Sequence, residues 1–207
     1  MSDLIDRGWN ILQQFRFPDE KIFFIGFNKC GTTSLHHLLT RYAIRSAHWD
    51  HGRLATSIEA LHHDKSALRR YLTRATAYSD IICSTKEQQI EGNRHFRLFH
   101  ELFPQAYFIF NDRSVENWIR SRCTHHNGTH LARSMAAWNI DANGVKDIWR
   151  QTYEIHSIAV LSYFKEHPRF LHFRIDEDPI KLLIDFLSPS FVLREGGWHR
   201  LNVTNRP

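Results

Sequence analysis

Lys29, Gly31 and the hydroxyls of Thr32, Thr33 and Ser34 sit where a chain can grip an anion. The string Phe24-Ile-Gly-Phe-Asn-Lys-Cys-Gly-Thr-Thr-Ser-Leu35 runs from an apolar stretch through a tight loop into a helix start. Backbone N–H groups at such a start, added to the positive end of the helix dipole, cradle negative charge. Gly31 permits the turn. The spacing Gly26-x-x-x-x-Gly31 is that of a Walker A loop, yet that loop carries its lysine directly after the second glycine, where this chain has Thr32. Lys29 stands two residues before Gly31 instead, and so reaches a different atom of the bound group. A second constellation is Tyr107-Phe-Ile-Phe-Asn-Asp-Arg113, a strand-like run ending in arginine, with Ser121 eight residues further on. The planar fork of arginine binds phosphate oxygens in pairs.

Lys29-x-Gly-Thr-Thr-Ser34 together with Arg113 and Ser121 resembles the two nucleotide-binding segments of sulfotransferases that use 3′-phosphoadenosine 5′-phosphosulfate (PAPS), nearest to the small soluble bacterial members. The resemblance implies that Lys29, Cys30, Gly31, Thr32, Thr33 and Ser34 hold the 5′-phosphosulfate, and that Arg113 and Ser121 share the 3′-phosphate. It also implies in-line sulfuryl transfer to a hydroxyl or amine, with Lys29 stabilising the departing bridging oxygen. The transferring group carries less negative charge than a phosphoryl group. The family does without a divalent metal, and none is expected here. Family members often close the nucleotide site with a late Arg-Lys-Gly segment followed by Gly and Trp. Leu193-Arg-Glu-Gly-Gly-Trp198 echoes it with Glu195 in place of a cation and a compressed spacing, which makes Arg194 a further candidate phosphate ligand.

The acceptor needs a general base. Asp80, Glu87 and His48 are the candidates, in that order, with Asp50 and His51 beside the last. Cytosolic relatives use a histidine after the third strand and heparan-type enzymes a glutamate. No histidine lies between Tyr78 and Ile90, a departure from the cytosolic pattern. Asp80 is similar to the aspartate of the small bacterial relatives; a strand-end carboxylate satisfied by backbone N–H groups is the competing reading. Trp49 suits either stacking on an adenine or acceptor, or the core. His126 and His130 have a metal-like spacing, but Gly128 interrupts any helix there, and the segment reads as a loop at the acceptor entrance. His36-His37 and His62-His63 fall in helical stretches and are expected to face solvent.

Strand-like runs at 21–26, 44–49, 78–84, 107–110 and 170–174 alternate with helical patterns at 33–42, 52–73, 91–102, 115–122, 131–164 and 179–187, the long one broken near 141–144. Such alternation argues for an α/β fold with a central parallel sheet covered on both faces, and the resemblance implies the P-loop NTPase-like three-layer form. Ligands of these sheets bind at the carboxyl ends of the strands. No repeat or linker divides residues 1–207, so one domain is expected.

Lys+Arg 27 against Asp+Glu 22 gives a net charge of +5, spread rather than clustered, and 42% hydrophobic content is globular. No basic stripe interleaved with aromatics suggests nucleic acid as a partner; a small molecule or glycan acceptor is expected. No apolar run is long enough for a membrane span. The N-terminus lacks the order of a secretion signal, and three cysteines fit a reducing compartment, so a cytoplasmic location is expected. Oligomeric state and acceptor identity have no signature. A P-loop kinase and a non-catalytic anion- or nucleic-acid-binding protein are the rival readings.

Overall fold

The computed structural model describes residues 2–201. Five short strands, β1 (Ile22–Phe24), β2 (Ser46–His48), β3 (Ala77–Ser79), β6 (Tyr107–Asp112) and β7 (Phe170–Arg174), form a sheet in the order β2-β3-β1-β6-β7. Every pairing in it is parallel. The hairpin β4 (Ile82–Ser84) and β5 (Gln89–Glu91) pairs antiparallel beside it.

Alternate residues of the central strands feed two cores, as strands buried on both faces must. Phe23, Tyr78, Phe108 and Phe110 face one layer, where α3 (Arg53–Leu61), α4 (Lys65–Tyr71), α5 (Phe96–Leu102) and the end of α8 (Ala142–Tyr163) pack. Ile22, Phe24, Tyr107 and Ile109 face the other, against α2 (Thr32–Arg41) and α9 (Ile180–Leu187). A third cluster joins Phe27 and Cys30 to Trp118 on α6 (Val115–Thr124), and to Val145, Trp149 and Tyr153 on α8. Leu131 and Met135 of α7 (Thr129–Trp138) pack against it. These are the three layers and parallel sheet expected, with helices on both faces.

Several boundaries differ from the sequence reading for identifiable reasons. The helix expected over 52–73 is two helices, because Asp64 caps α4 by accepting from Ala67 N at 2.9 Å. The run 78–84 is not one strand. Asp80 adopts φ +55, ends β3, and sends β4 off into the hairpin. The helix expected from 91 starts at Phe96, after β5 and a 3-10 turn over Gly92–His95. The break in 131–164 is real and lies just after Trp138, with Asp141 capping α8 through Gly144 N.

One element had no counterpart in the sequence reading. Helix α1 (Ser2–Arg16) docks by its polar side: Asn10 donates to the carbonyls of Tyr42 and Val192, and Gln14 donates to that of Ala43 while accepting from Arg45 N. Its apolar residues Leu4, Ile5, Trp9, Leu12 and Phe15 face outward.

Candidate active site

Three loop carbonyls explain the shape of the candidate anion cradle. The carbonyl of Asn28 accepts from Trp118 Nε1 at 2.9 Å, that of Lys29 from Arg113 Nη1 at 2.9 Å, and that of Cys30 from Asn111 Nδ2 at 3.1 Å. In a trans peptide the N–H points opposite to the C=O. Tying these carbonyls to β6 and α6 therefore turns the N–H groups of Lys29, Cys30 and Gly31 the other way. Those three make no hydrogen bond among the described residues. They continue into the free amides of the first turn of α2, a concave run of donors of the kind that binds anions.

Both glycines of the loop are required by geometry. Gly31 adopts φ +75, and a Cβ on it would lie 2.6 Å from Ile175 Cγ1. A Cβ on Gly26 would lie 1.9 Å from the backbone oxygen of Asn111. Asn111, buried on β6, also accepts from Gly26 N at 3.0 Å, so one side chain clamps both ends of the loop. The sequence reading missed Asn111; a polar residue inside an apolar strand run was the available signal.

Lys29 stands at the loop apex with φ +65 and its Nζ 3.0 Å from His125 Nδ1. Burial pushes its pKa down; the Asp80 carboxylate opposes that, and the Arg113 and Arg122 guanidinium groups reinforce it. His125 is held to about 4, first by burial and then by the Lys29 charge. It is thus a neutral acceptor at pH 7. Asp80 follows β3. Burial raises its carboxyl to about 6, against the pull of Lys29, Arg122 and the Thr32 hydroxyl. Its Oδ1 is buried without a hydrogen-bond partner. Oδ2 lies 3.7 Å from His48 Nε2, and burial keeps His48 near 4, so that pair is a neutral imidazole beside a carboxylate rather than two opposite charges.

Lys29, Gly31, Thr32, Thr33, Ser34, Asp80, Arg113 and Ser121 line one cleft at the carboxyl ends of the strands. His125, Asn117, Arg120, Asp176, Trp198 and Arg200 complete its wall. Arg113 is held in a two-toothed pair with Asp176, Nη2 to Oδ2 at 2.9 Å and Nε to Oδ2 at 3.1 Å. Ser34 Oγ accepts from Leu201 N at 2.8 Å, which ties the C-terminal segment over α2.

Other candidates fall elsewhere. Cys30 is buried in the third core cluster, where desolvation raises its thiol pKa, so only its backbone can face the cleft. Arg194 does not reach the cleft: it pairs with Asp6 of α1 through Nη2 at 3.0 Å. From the same segment Trp198 and Arg200 line the cleft instead, with Arg200 donating to the Ile175 carbonyl at 2.6 Å. Glu87 is exposed on the turn of the β4–β5 hairpin, outside the cleft. His48 borders a second, shallow groove with Arg45, Trp49, His51 and Arg74. Trp49 is 42% exposed, which removes it from the core. Asp50 pairs with Arg53 at 2.8 Å and Arg74 at 3.7 Å. His36 and His62 do not face solvent freely. His36 stacks on His48 with ring centroids 5.0 Å apart, and His62 packs against His95. His130, spaced from His126 as a metal ligand would be, is buried against Trp149.

The family model described as a sulfotransferase domain matches residues 21–167, from β1 past the end of α8. The chain belongs to that family and is a transferase built for sulfuryl groups, on the P-loop NTPase-like fold of sulfotransferase domains. No curated protein matches the chain significantly. Among the described residues, no helix is long and apolar enough to cross a membrane.

Proposed function

We propose that the protein, acting as one sulfotransferase domain, moves a sulfuryl group from PAPS to the hydroxyl or amine of a small-molecule or glycan acceptor. The observation that carries the reading is the joining of two grips. Arg113 bonds the loop at Lys29, so a guanidinium suited to a 3′-phosphate and an amide cradle suited to a 5′-phosphosulfate share one cleft. Ser121 and Arg200 border the same space and are assigned to the nucleotide's phosphates.

The amides of Lys29 to Ser34 orient the phosphosulfate. Lys29 Nζ neutralises the bridging oxygen as the sulfur–oxygen bond to the phosphate breaks and the bond to the acceptor forms. Asp80, raised to about 6, is ionised above that pH and accepts the acceptor's proton. His48, with Nε2 3.7 Å from Asp80 Oδ2, borders the second groove. The step is assigned to the Lys29 ammonium and the loop amides, which border the cleft. Three free thiols fit a reducing, cytoplasmic setting.

Calorimetric titration with adenosine 3′,5′-bisphosphate and with ATP–Mg tests the reading. Tight binding of the first with indifference to the second is expected. Preference for ATP–Mg points to a kinase. Binding only of oligonucleotides, steeply dependent on salt, points to a nucleic-acid protein.

A further inference from the structure

Away from the cleft, Glu59, His62 and His95 converge where α3 meets the segment joining β5 to α5. Glu59 and His62 are three residues apart, so they share one side of the end of α3. His95 closes the 3-10 turn and brings its Nε2 to 3.0 Å from Glu59 Oε2. One ligand atom from each residue lies within 4.8 Å of the others. Tetrahedral zinc places its ligand atoms roughly 3.3 Å apart, so closing the set asks only for side-chain rotation.

The surrounding bonds already select the ligating atoms of His62 and Glu59, while His95 Nε2, which donates to Glu59 Oε2, gives up that proton when a metal binds. His62 Nδ1 lies 2.6 Å from the carbonyl oxygen of Glu59. A carbonyl can only accept, so Nδ1 carries the proton and Nε2 keeps its lone pair, the orientation a metal-bound histidine shows. Arg94 Nη2 takes Glu59 Oε1 at 2.5 Å and leaves Oε2 to the histidines. Its charge opposes a cation, which the carboxylate offsets. His63, its ring centroid 3.6 Å from that of His62, or a water can fill the fourth position. All three groups are half-buried, with His95 14% and Glu59 28% exposed at the side chain, so a bound ion is partly shielded.

We propose that Glu59, His62 and His95 form a binding site for one divalent transition metal of the zinc type, which staples α3 to the β5–α5 segment. Two imidazoles and one carboxylate are a donor set zinc accepts and magnesium or calcium does not favour. The site contributes no residue to the cleft, so its role is structural and separate from sulfuryl transfer.

The test is a titration of chelator-treated full-length protein with Zn²⁺ alone, read by calorimetry and thermal melting, with Co²⁺ as a spectroscopic stand-in. One equivalent should bind with a tetrahedral cobalt spectrum, and saturation at 100 times Kd should raise Tm by roughly 5–10 °C. His62→Ala and His95→Ala should each weaken binding at least tenfold and, at the same metal concentration, cut the melting shift to about half or less. If one of the two variants fails to fold, the other carries the test. Absence of stoichiometric binding overturns the proposal, as does binding that both variants leave unchanged, since the metal then sits on the remaining histidines or the thiols.

Discussion

The ammonium of Lys29 donates to Nδ1 of His125 across 3.0 Å, so the candidate catalytic cation is hydrogen-bonded to a neutral imidazole, while the Asp80 carboxylate acts on it only through its charge. A carboxylate partner would cancel the charge that a leaving phosphate must feel. Replacing Lys29 by alanine should lower kcat by about 10²–10³, the usual cost of one donor aimed at developing charge. Bisphosphate affinity should fall far less, because the loop amides and Arg113 remain. His125→Ala should cost a smaller factor in kcat, by releasing Lys29 rather than removing it. Single-turnover sulfate transfer and bisphosphate calorimetry on both variants read this out; an unaltered rate for Lys29→Ala rejects its role.

Asp80 gives the site its pH signature. Its folded pKa is about 6 against the ordinary aspartate value of 3.8, because burial disfavours the carboxylate. Activity should therefore rise with pH through an acidic limb near 6, and Asp80→Asn should lose the limb along with roughly 10²–10⁴ in rate. Stability runs the other way. Between about pH 4 and 6 the folded chain holds a proton that the unfolded chain releases, so stability is full below that window and is lost as pH rises through it. The shift corresponds to about 3 kcal/mol as an order of magnitude. Urea unfolding at pH 4.5 and pH 7.5 should show Asp80→Asn gaining on the parent at the higher pH. Equal gaps at the two values would place the ionisation elsewhere.

Asp176 restrains Arg113, the arginine proposed to bind the 3′-phosphate. Its carboxylate holds Nε and Nη2 of Arg113 and borders the cleft itself, so it repels an incoming phosphate. Asp176→Asn keeps the shape and removes the charge, and should tighten adenosine 3′,5′-bisphosphate by about tenfold, one unit of pKa-scale energy. Arg113→Ala should weaken the bisphosphate more than adenosine 5′-phosphate, since only the former carries the 3′ group. Equal losses for the two ligands would detach Arg113 from the 3′ position.

The sequence carried the Lys29–Ser34 loop and the Arg113 strand end, which share one cleft, because both are local: glycine spacing, a lysine offset and an arginine at a strand end are fixed within short windows. Strand–helix alternation carried the sheet for the same reason. What it did not carry is set by contacts distant in the chain. Asn111 clamps a loop 81 residues away, and His125 meets Lys29 across 96. Arg194 looked like a phosphate ligand until α1 supplied Asp6, and α1 itself escaped notice because its docked side is polar and its apolar side is out. Periodicity reports that a helix has two faces, but not which one the protein keeps.

The pair between Arg122 and Glu91 makes the strongest stability prediction. Arg122 is 1% exposed, with Nε on Asn28 Oδ1 at 2.8 Å and Nη2 on Glu91 Oε1 at 2.5 Å, and it stacks over Trp118 at 4.1 Å. Through it the β4–β5 hairpin is tied to the loop that carries Lys29. Glu91→Ala leaves a guanidinium buried without its counter-charge, an arrangement that costs about 3–5 kcal/mol. For a chain of this length that lowers Tm by roughly 6–20 °C. The pair itself is not intrinsically worth that much, because desolvating both ions offsets most of their attraction. Glu91→Leu combined with Arg122→Met should therefore recover most of the loss while still weakening bisphosphate, since Asn28 loses its donor. Urea unfolding of the ligand-free single and double variants separates the two effects. A double variant no more stable than Glu91→Ala would mean that the pair contributes through its hydrogen bonds to the loop, and not through the cost of an unmatched charge.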